Sequence, residues 1–520
     1  MRPILTADEM RAADTRAIVA HGVPGLMLME QAGLAAARAI ESRFGKERRV
    51  AIVCGLGNNG GDGFVVARVL KSDWTRVYVI GDPEAIKGDA RHHFDRLRKE
   101  RPRLPVIIIK DEAEWAGKAA EFGRCSLIVD ALIGAGFQGA PRGQAAVVIE
   151  SIRQERGRGA RVVSVDLPSG VPADGGPIDW KTVEADVTVT FAAKKRGLLF
   201  SPACEFAGSV VVAPIGIPDE ALQHAERGVR LFELEASDAR AAFPSRPRDC
   251  HKGDFGHVLI VAGSVGKTGA ALLAARGALR GGAGLVTVVS VAEVCRVIEM
   301  SQPEVMTASL GENAECGDPG RAAARVLELA EGKDALVIGP GLGRGARTQE
   351  FVLDVIARCA LPVVIDADGL YALHAPTLSR LTQRDLPTIL TPHPGEMARL
   401  LGLETAGVQK DRIHAVGQAM TDTQSTVVLK GHHTLIGTRR GEVWLNPTGA
   451  PSLATAGTGD VLAGLIGAIA SRSVVAELSA AAGVFVHGLA GERAGKRRPW
   501  GAIGGDIADA LPAAIASLGR

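Results

Sequence analysis

The sequence predicts an α/β protein built from two domains, and three observations carry that expectation. Short apolar strands recur along the chain, and each runs into a glycine-rich turn, with 64 glycines in all. Helical apolar periodicity fills the intervals between strands, which is the βα alternation of a parallel sheet. At 520 residues the chain exceeds what one ordinary core organises. A polar run punctuated by Pro214, Pro218, Pro244 and Pro247 breaks the alternation, so the expected domains are 1–225 and 226–520.

In chain order, Thr6 with Glu9 forms a capping-box pattern that opens a helix to about residue 20. A second helix over 25–43 places Leu26, Met29, Ala36 and Ile40 on one side, for core or subunit packing. The strand 49–54 runs into Gly55-Leu56-Gly57-Asn58-Asn59-Gly60-Gly61-Asp62-Gly63, followed by an apolar helix over 64–70. Gly55, Gly57 and Gly60 satisfy G-x-G-x-x-G, and Asp82 closes the next strand where a dinucleotide fold places an acid. A tight β–α turn satisfies the same pattern. Asn58, Asn59 and Asp62 add oxygen ligands with little bulk, which suits a monovalent cation or a sugar hydroxyl. Strands over 127–130, 161–166 and 187–191 follow. Asn59, Asp62, Asp130, Asp166 and Ser169 all fall at carboxyl ends of strands, where open parallel sheets bind ligands.

The second half repeats the logic. The strand 257–262 leads through Gly263 into an Ala-rich helix to about residue 279. Gly266-Lys267-Thr268 resembles the end of a P-loop, but Val261 stands where that motif needs its first glycine, so Lys267 is expected to be a solvated loop residue. Strands ending near 338, 365, 390 and 429 are followed by Gly339-Pro340-Gly341, Asp366-Ala367-Asp368, Pro392-His393-Pro394 and Lys430-Gly431-His432-His433-Thr434. His393, framed by prolines, is expected to face a ligand, whereas His432 and His433 lack metal-ligand spacing. Ala456-Gly457-Thr458-Gly459-Asp460 then precedes an apolar helix from Val461. Crowded glycine amides and a helix N-terminus make an anion cradle, with the Asp460 carboxylate at its lip. That arrangement suits phosphoryl transfer to a hydroxyl that must lose a proton. Asp460 as a plain helix cap is the competing reading.

Composition excludes several classes. The formal charge is +2 and aromatics are 4%, so neither a basic patch nor a stacking platform for nucleic acid is expected. The seven cysteines (54, 125, 204, 250, 295, 316, 359) form no Cys-x-x-Cys, so neither a zinc site nor a disulfide framework is expected. The N-terminus has no apolar signal segment, and the apolar window 461–470 is far short of the roughly 20 residues of a membrane span. A cytoplasmic protein, free of membrane and nucleic-acid partners, is the expectation.

Two sets of motifs carry a specific resemblance. Cys-Gly-x-Gly-Asn-Asn-Gly-Gly-Asp-Gly from Cys54, Val-Asp-Ala-Leu-Ile-Gly-Ala-Gly from Val129 and Val-Asp-Leu-Pro-Ser-Gly from Val165 resemble the NAD(P)H-hydrate epimerase domain. Gly-Pro-Gly-Leu-Gly, Asp-Ala-Asp-Gly-Leu, Thr-Pro-His-Pro-Gly-Glu, Leu-Lys-Gly, Asn-Pro-Thr-Gly and Gly-Thr-Gly-Asp, in that order, resemble the ADP-dependent NAD(P)H-hydrate dehydratase domain. The resemblance implies a Rossmann-like domain followed by a ribokinase-like one, in a bifunctional isomerase and lyase that repairs hydrated NADH and NADPH. It implies that Asn58, Asn59, Gly60, Gly61, Asp62, Gly134, Ala135, Gly136, Phe137, Gln138, Gly139, Ala140 and Asp166 bind the damaged cofactor. Asn59, Asp130 and Ser169 would hold a potassium ion, and Asp166 would handle protons, with Lys195 as a weaker candidate partner. In the second domain Ala270, Gly341, His393 and Asp460 would contact the hydrate. Lys430, Gly431, His432, His433, Thr434 and Gly459 would contact ADP, with magnesium assisting and Asp460 as base. A homo-oligomer is expected. Ala450 and Ser452 depart from the family's usual Asn and Gly. A ribokinase-like small-molecule kinase fused to a nucleotide-binding module shares the cradle and base, but leaves Asn58–Asp62 without a purpose.

Overall fold

The structure, a computed structural model, describes residues 1–45, 48–72, 74–224, 228–311 and 318–519. Its contacts divide the chain into Pro3–Gly228 and Val229–Arg520, the latter with Met1–Arg2. The expected boundary at 225/226 lies outside the described residues, as does Cys316; the other six cysteines are free thiols.

The first unit contains β1 (Arg2–Leu5), α1 (Ala7–Val19), α2 (Gly25–Phe44), β2 (Arg49–Cys54), α3 (Asn58–Val69), β3 (Trp74–Ile80), α4 (Gly88–Glu100), β4 (Val106–Ile109), α5 (Glu112–Phe122), β5 (Leu127–Ala131), α6 (Gln144–Gly157), β6 (Arg161–Val165), β7 (Val187–Phe191), β8 (Lys194–Lys195) and β9 (Ser209–Ala213). Seven strands pair in the order β4-β3-β2-β5-β6-β7-β9, every pair parallel. The chain moves outward from β2 to β4, then returns to the other side of β2 as β5. The carboxyl ends of β2 and β5 therefore flank the switch point where such sheets bind ligands. The Thr6–Glu9 capping box opens α1.

Two expectations change here. The helix expected from Phe64 starts at Asn58, so Asn58–Asp62 are its first turns and not a loop. Glycine weakens helices by roughly 1 kcal/mol per residue, yet close packing overrides that. A Cβ on Gly60 would lie 1.9 Å from the Gly55 carbonyl oxygen, and one on Gly55 would lie 2.1 Å from that of Leu132. Leu26 is exposed; Leu28 and Met29 take the buried side of α2.

The second unit contains β10 (Arg230–Glu233), α7 (Ala236–Arg240), β11 (His257–Val261), α8 (Thr268–Arg280), β12 (Leu285–Ser290), α9 (Ala292–Ser301), β13 (Met306–Ser309), α10 (Pro319–Ala330), β14 (Ala335–Ile338), α11 (Ala346–Arg358), β15 (Val363–Ile365), α12 (Asp368–Tyr371), α13 (Ser379–Thr382), β16 (Thr388–Leu390), α14 (Pro394–Leu401), α15 (Thr405–Lys410), α16 (Arg412–Thr423), β17 (Thr426–Leu429), β18 (Leu435–Gly437), β19 (Glu442–Leu445), α17 (Thr458–Ala470), α18 (Ala476–Arg497) and α19 (Gly504–Ser517). Its strands run in the order β13-β12-β11-β14-β15-β16-β17-β18-β19-β10, parallel as far as β17 and antiparallel at β18. The switch point lies between β11 and β14. The segment expected to be linker supplies β10, which pairs in parallel with β19, Leu231 opposite Val443.

α17 is apolar all round and buried through nearly its whole length, as a helix enclosed by other elements must be. Glycine brings it against α8 backbone to backbone. A Cβ on Gly464 would lie 1.8 Å from the Ala274 carbonyl oxygen, and one on Gly277 would lie 2.2 Å from that of Val461.

Candidate active sites

In the first unit, the carboxyl ends of the strands border a cavity of about 590 Å³. Asp14 and Met10 from α1, Asn58, Asn59 and Asp62 from α3, Gly134, Ala135, Gly136 and Phe137, and Asp166 with Lys195 all contribute to its wall. Gly60 and Gly61 are buried behind the wall; a Cβ on Gly61 would lie 2.5 Å from Met29 Sδ. Gln138, Gly139 and Ala140 continue the loop outside that lining. Asp82 caps a 3-10 turn through the Glu84 amide, which is the turn reading of that residue.

Asp166 sits at φ +64, a left-handed conformation that Asp tolerates better than most residues. Its Oδ1 accepts from Lys195 Nζ at 2.5 Å and from Thr190 Oγ1 at 3.1 Å. The ammonium also donates to Thr190 Oγ1 and to the Phe191 carbonyl, so this fully buried lysine is completely partnered. Asp62 is buried beside them. Burial raises its pKa well above the usual carboxylate range, Asp166 and Asp14 add to the rise, and Lys195 opposes it. Sequence reasoning missed Asp14. Burial raises it to about 6 against the pull of Lys195, and Asp166 adds to the rise.

Asn59, Asp130 and Ser169 form one network. Ser169 donates from both Oγ and its amide to the wholly buried Asp130, and Ser164 Oγ donates to it at 2.8 Å. Burial still raises Asp130 despite these donors. Ser169 Oγ accepts from the Ile133 amide at 2.9 Å, and the Ile133 carbonyl accepts from Asn59 Nδ2 at 3.1 Å. Asn59 Oδ1 is buried without a hydrogen-bond partner. Carboxamide, carboxylate, hydroxyl and carbonyl oxygens together, one of them unsatisfied, are a donor set that fits a hard cation.

In the second unit, α17 begins at Thr458, three residues before the expected start. Gly457 is its N-cap at φ +86 and offers no side chain, so the first-turn amides stay free. Asp460 lies in that first turn and is not the cap. Burial, then the neighbouring Asp366, raises its pKa to about 7, with Lys430 pulling the other way. Lys430 Nζ lies 2.8 Å from Asp366 Oδ1 and 3.8 Å from Glu396 Oε2. Burial lowers the lysine, but the two carboxylates more than offset it and its pKa is raised. Lys430, expected as a nucleotide contact, has its ammonium in this acidic cluster. Gly459 lies beside it, its Cβ position 3.5 Å from Nζ.

His393 caps α14, its Nδ1 accepting from the Gly395 and Glu396 amides, while Nε2 lies 3.4 Å from Glu396 Oε1. Burial, with Lys430 beside it, lowers its pKa. Gly341 at φ +66 packs on Ala270; a Cβ there would lie 2.9 Å from that of Ala270. Lys267 is not a free loop lysine: it pairs with Asp368 Oδ2 at 2.9 Å. Arg344 Nε and the Gly343 amide also donate to Asp368, and together they hold it below the usual range despite burial. The loop 430–434 is held by Arg412, which donates to the Leu429 and His432 carbonyls, while the His432 and His433 rings lie 4.1 Å apart, tilted by 56°. The Ala450 and Ser452 departures are accommodated. Ala450 is extended at φ −150, and Ser452 lies in a 3-10 turn with Oγ donating to the Gly491 carbonyl at 2.7 Å.

Two α/β units, each with acidic groups gathered at the carboxyl ends of parallel strands, define a two-site enzyme acting on small molecules. A family model described as NAD(P)H-hydrate dehydratase matches residues 258–513, and one described as YjeF-related protein N-terminus matches 25–197. The chain is 40% identical over 523 residues to the bifunctional NAD(P)H-hydrate repair enzyme Nnr of Moorella thermoacetica, covering 99% of this chain and 97% of that one. The enzyme of the same name from Coxiella burnetii is 35% identical, covering 92% of each. The solved ADP/ATP-dependent NAD(P)H-hydrate dehydratase of Bacillus subtilis, co-crystallised with ATP and Mg2+, is 30% identical over 55% of this chain and 97% of its own, with a TM-score of 0.47. The chain belongs to the family of bifunctional NAD(P)H-hydrate repair enzymes. Among the described residues no helix is long and apolar enough to cross a membrane.

Proposed function

We propose that residues 1–225 interconvert the two epimers of hydrated NADH and NADPH, and that residues 226–520 dehydrate the hydrate at the expense of ADP, releasing AMP and phosphate. One observation carries the second half: a carboxylate raised to about 7 beside the uncapped first turn of α17. A base whose pKa lies near the working pH is ionised enough to accept a proton and basic enough to hold it. Asp460 takes the hydroxyl proton of the hydrate as the β-phosphoryl of ADP transfers, and the free amides around 457–459 stabilise the moving charge. Phosphate is a far better leaving group than hydroxide. Among the described residues no three His, Cys, Asp or Glu side chains are arranged for a metal. Lys430 instead occupies the middle of the acidic cluster, a pattern that suits Mg2+ carried in on the diphosphate, where it would neutralise phosphoryl charge. The loop 430–434 and Gly459 are assigned to the nucleotide. Ala270, Gly341 and His393 are assigned to the hydrate.

In the first unit Asp166 exchanges protons with the substrate, held in place by Lys195 and Thr190. The wall formed by Asn58, Asp62 and Gly134–Phe137 binds the damaged cofactor. Asn59, Asp130 and Ser169 would hold K+, which would offset the charge of the buried Asp130 and brace the loop beginning at Ile133. Raising K+ at constant ionic strength should raise the melting temperature of the intact protein, and Asn59→Ala should abolish that response.

The test of the whole reading is direct. Pure protein, hydrated NADH and ADP should restore the reduced-nicotinamide absorbance and produce AMP in equal amount. A stable phosphorylated product in its place would make the protein a kinase.

A further inference from the structure

Asp14 is a carboxylate without a hydrogen-bonding partner among the described residues. It stands on α1 one turn from Met10 and one turn from Ile18, and all three line the first unit's cavity. Its neighbours Ala13 and Ala17 are buried, so this side of the helix faces inward. An acidic residue there is costly unless it is paired or used. Among the described residues no hydrogen bond or ion pair engages it. The charged groups that act on it are Lys195 and Asp166, and Asp62 interacts with it in turn; Arg11 and Asp89 also border the cavity.

Epimerisation needs more than the Asp166–Lys195 pair. Hydration of the dihydropyridine ring places the hydroxyl on a carbon bonded to the ring nitrogen. One way to invert that carbon is for the hydroxyl to leave as water and return to the opposite face; the other, ring opening and reclosure, likewise needs a proton donor and a proton acceptor. The departing oxygen needs a proton and the returning water must lose one, so the site requires an acid as well as a base. Asp166 already accepts from Lys195 and Thr190, which makes it an acceptor. Asp62 is more deeply buried than Asp14, and burial raises its pKa well above the usual carboxylate range. Asp14 is half-buried with an open edge, so it can exchange its proton with water in each cycle.

We propose that Asp14 is a second catalytic carboxylate of the first site, the acid that protonates the departing hydroxyl while Asp166 serves as the base. This rests on the epimerase reading of that unit. The Asp14 O–H proton passes to the hydroxyl oxygen, and the C–O bonding pair leaves with it as water. The ring-nitrogen lone pair forms a C=N bond, giving an iminium and a carboxylate. Water adds to the other face, the C=N pair returns to nitrogen, and Asp166 accepts the proton released from the new oxonium. Proton exchange through water then restores both carboxyl groups. Protonated at about 6, Asp14 loses its acid form above that value, so the epimerisation rate should fall as pH rises through about 6.

The experiment uses the full chain. A single purified epimer is incubated without ADP, and the epimer ratio is followed by chromatography across pH; ADP-dependent dehydration of the same samples serves as the fold control. Asp14→Asn should slow epimerisation by about 10²-fold or more and remove the alkaline fall, with dehydration within twofold of wild type. Asp14→Glu should recover part of the rate and keep a fall. An Asp14→Asn rate within threefold of wild type overturns the proposal. So does a wild-type profile with no fall near pH 6, a measurement that stands even if the variant does not fold. A wild-type protein that dehydrates but does not epimerise at all would instead sink the epimerase reading, and this proposal with it.

Discussion

The two sites gather carboxylates in the same place on related sheets, yet they treat the central acid in opposite ways. Asp166 is pinned: a buried lysine and a threonine hydroxyl converge on one of its oxygens. Asp460 has no such clasp. Its nearest cation, Lys430, is spent on Asp366, and Asp366 itself pushes Asp460 upward. A carboxylate locked to a cation stays an acceptor through many turnovers that begin and end with the same kind of bond. A carboxylate left near neutrality by its neighbours can take a proton in a step that goes one way. The two surroundings match the two reactions, one reversible and one driven by a phosphoanhydride.

The comparison breaks first at the acids themselves. Asp460→Asn should lower dehydration by about 10²–10⁴-fold and leave epimerisation intact, and Asp166→Asn should do the reverse. Paired assays on both variants check this, and any variant that loses both activities would mean the sites are not independent. Lys195→Met comes next. It leaves a largely buried carboxylate unpaired, at a cost of about 3–5 kcal/mol, so the first unit should melt well below wild type while Lys430→Met keeps that unit's transition unchanged.

A third effect has the opposite sign. A carboxyl raised to about 7 when folded and near 3.8 when unfolded binds more protons in the folded state between those values. Stability therefore declines as pH rises from about 4 to about 7. Asp460→Asn should stabilise the protein by roughly 1–3 kcal/mol at pH 8 while abolishing dehydration, and the gain should shrink toward pH 4; melting curves at the two pH values test it. The smallest effect sharpens the electrostatics. Dehydration should rise with pH through about 7 in the wild type. Asp366→Asn, by removing a negative neighbour, should move that rise to lower pH, whereas Lys430→Met should move it higher.

Much of this was legible in the sequence because strand ends and glycine turns are local signals. Asp130, Asp166, Ser169 and Asp366 lie where the βα reading put them, whereas Asp460 lies inside the helix it was expected to precede. Other features depend on contacts that no local pattern records. Asn58–Asp62 read as loop because their glycines are poor helix formers, and the close packing that demands glycine at Gly60 and Gly61 is made by Gly55 and Met29. β10 was hidden because a four-residue strand between prolines is ordered by β19, more than two hundred residues later. Lys267 looked solvated until Asp368 came to meet it. Asp14 sat in an ordinary amphipathic helix whose opposite wall is made by segments far along the chain.

The contact between α8 and α17 bears on how firmly the second site is held. With the Ala274 carbonyl oxygen 1.8 Å from where a methyl on Gly464 would begin, the two helices have no clearance along which to slide. The platform carrying Asp460 thus behaves as a fixed anvil. Gly339 in the loop 339–343 is packed as tightly, its Cβ position 1.9 Å from the Asp366 carbonyl oxygen, so Asp366 and Asp460 both stand on backbone that has no room to shift.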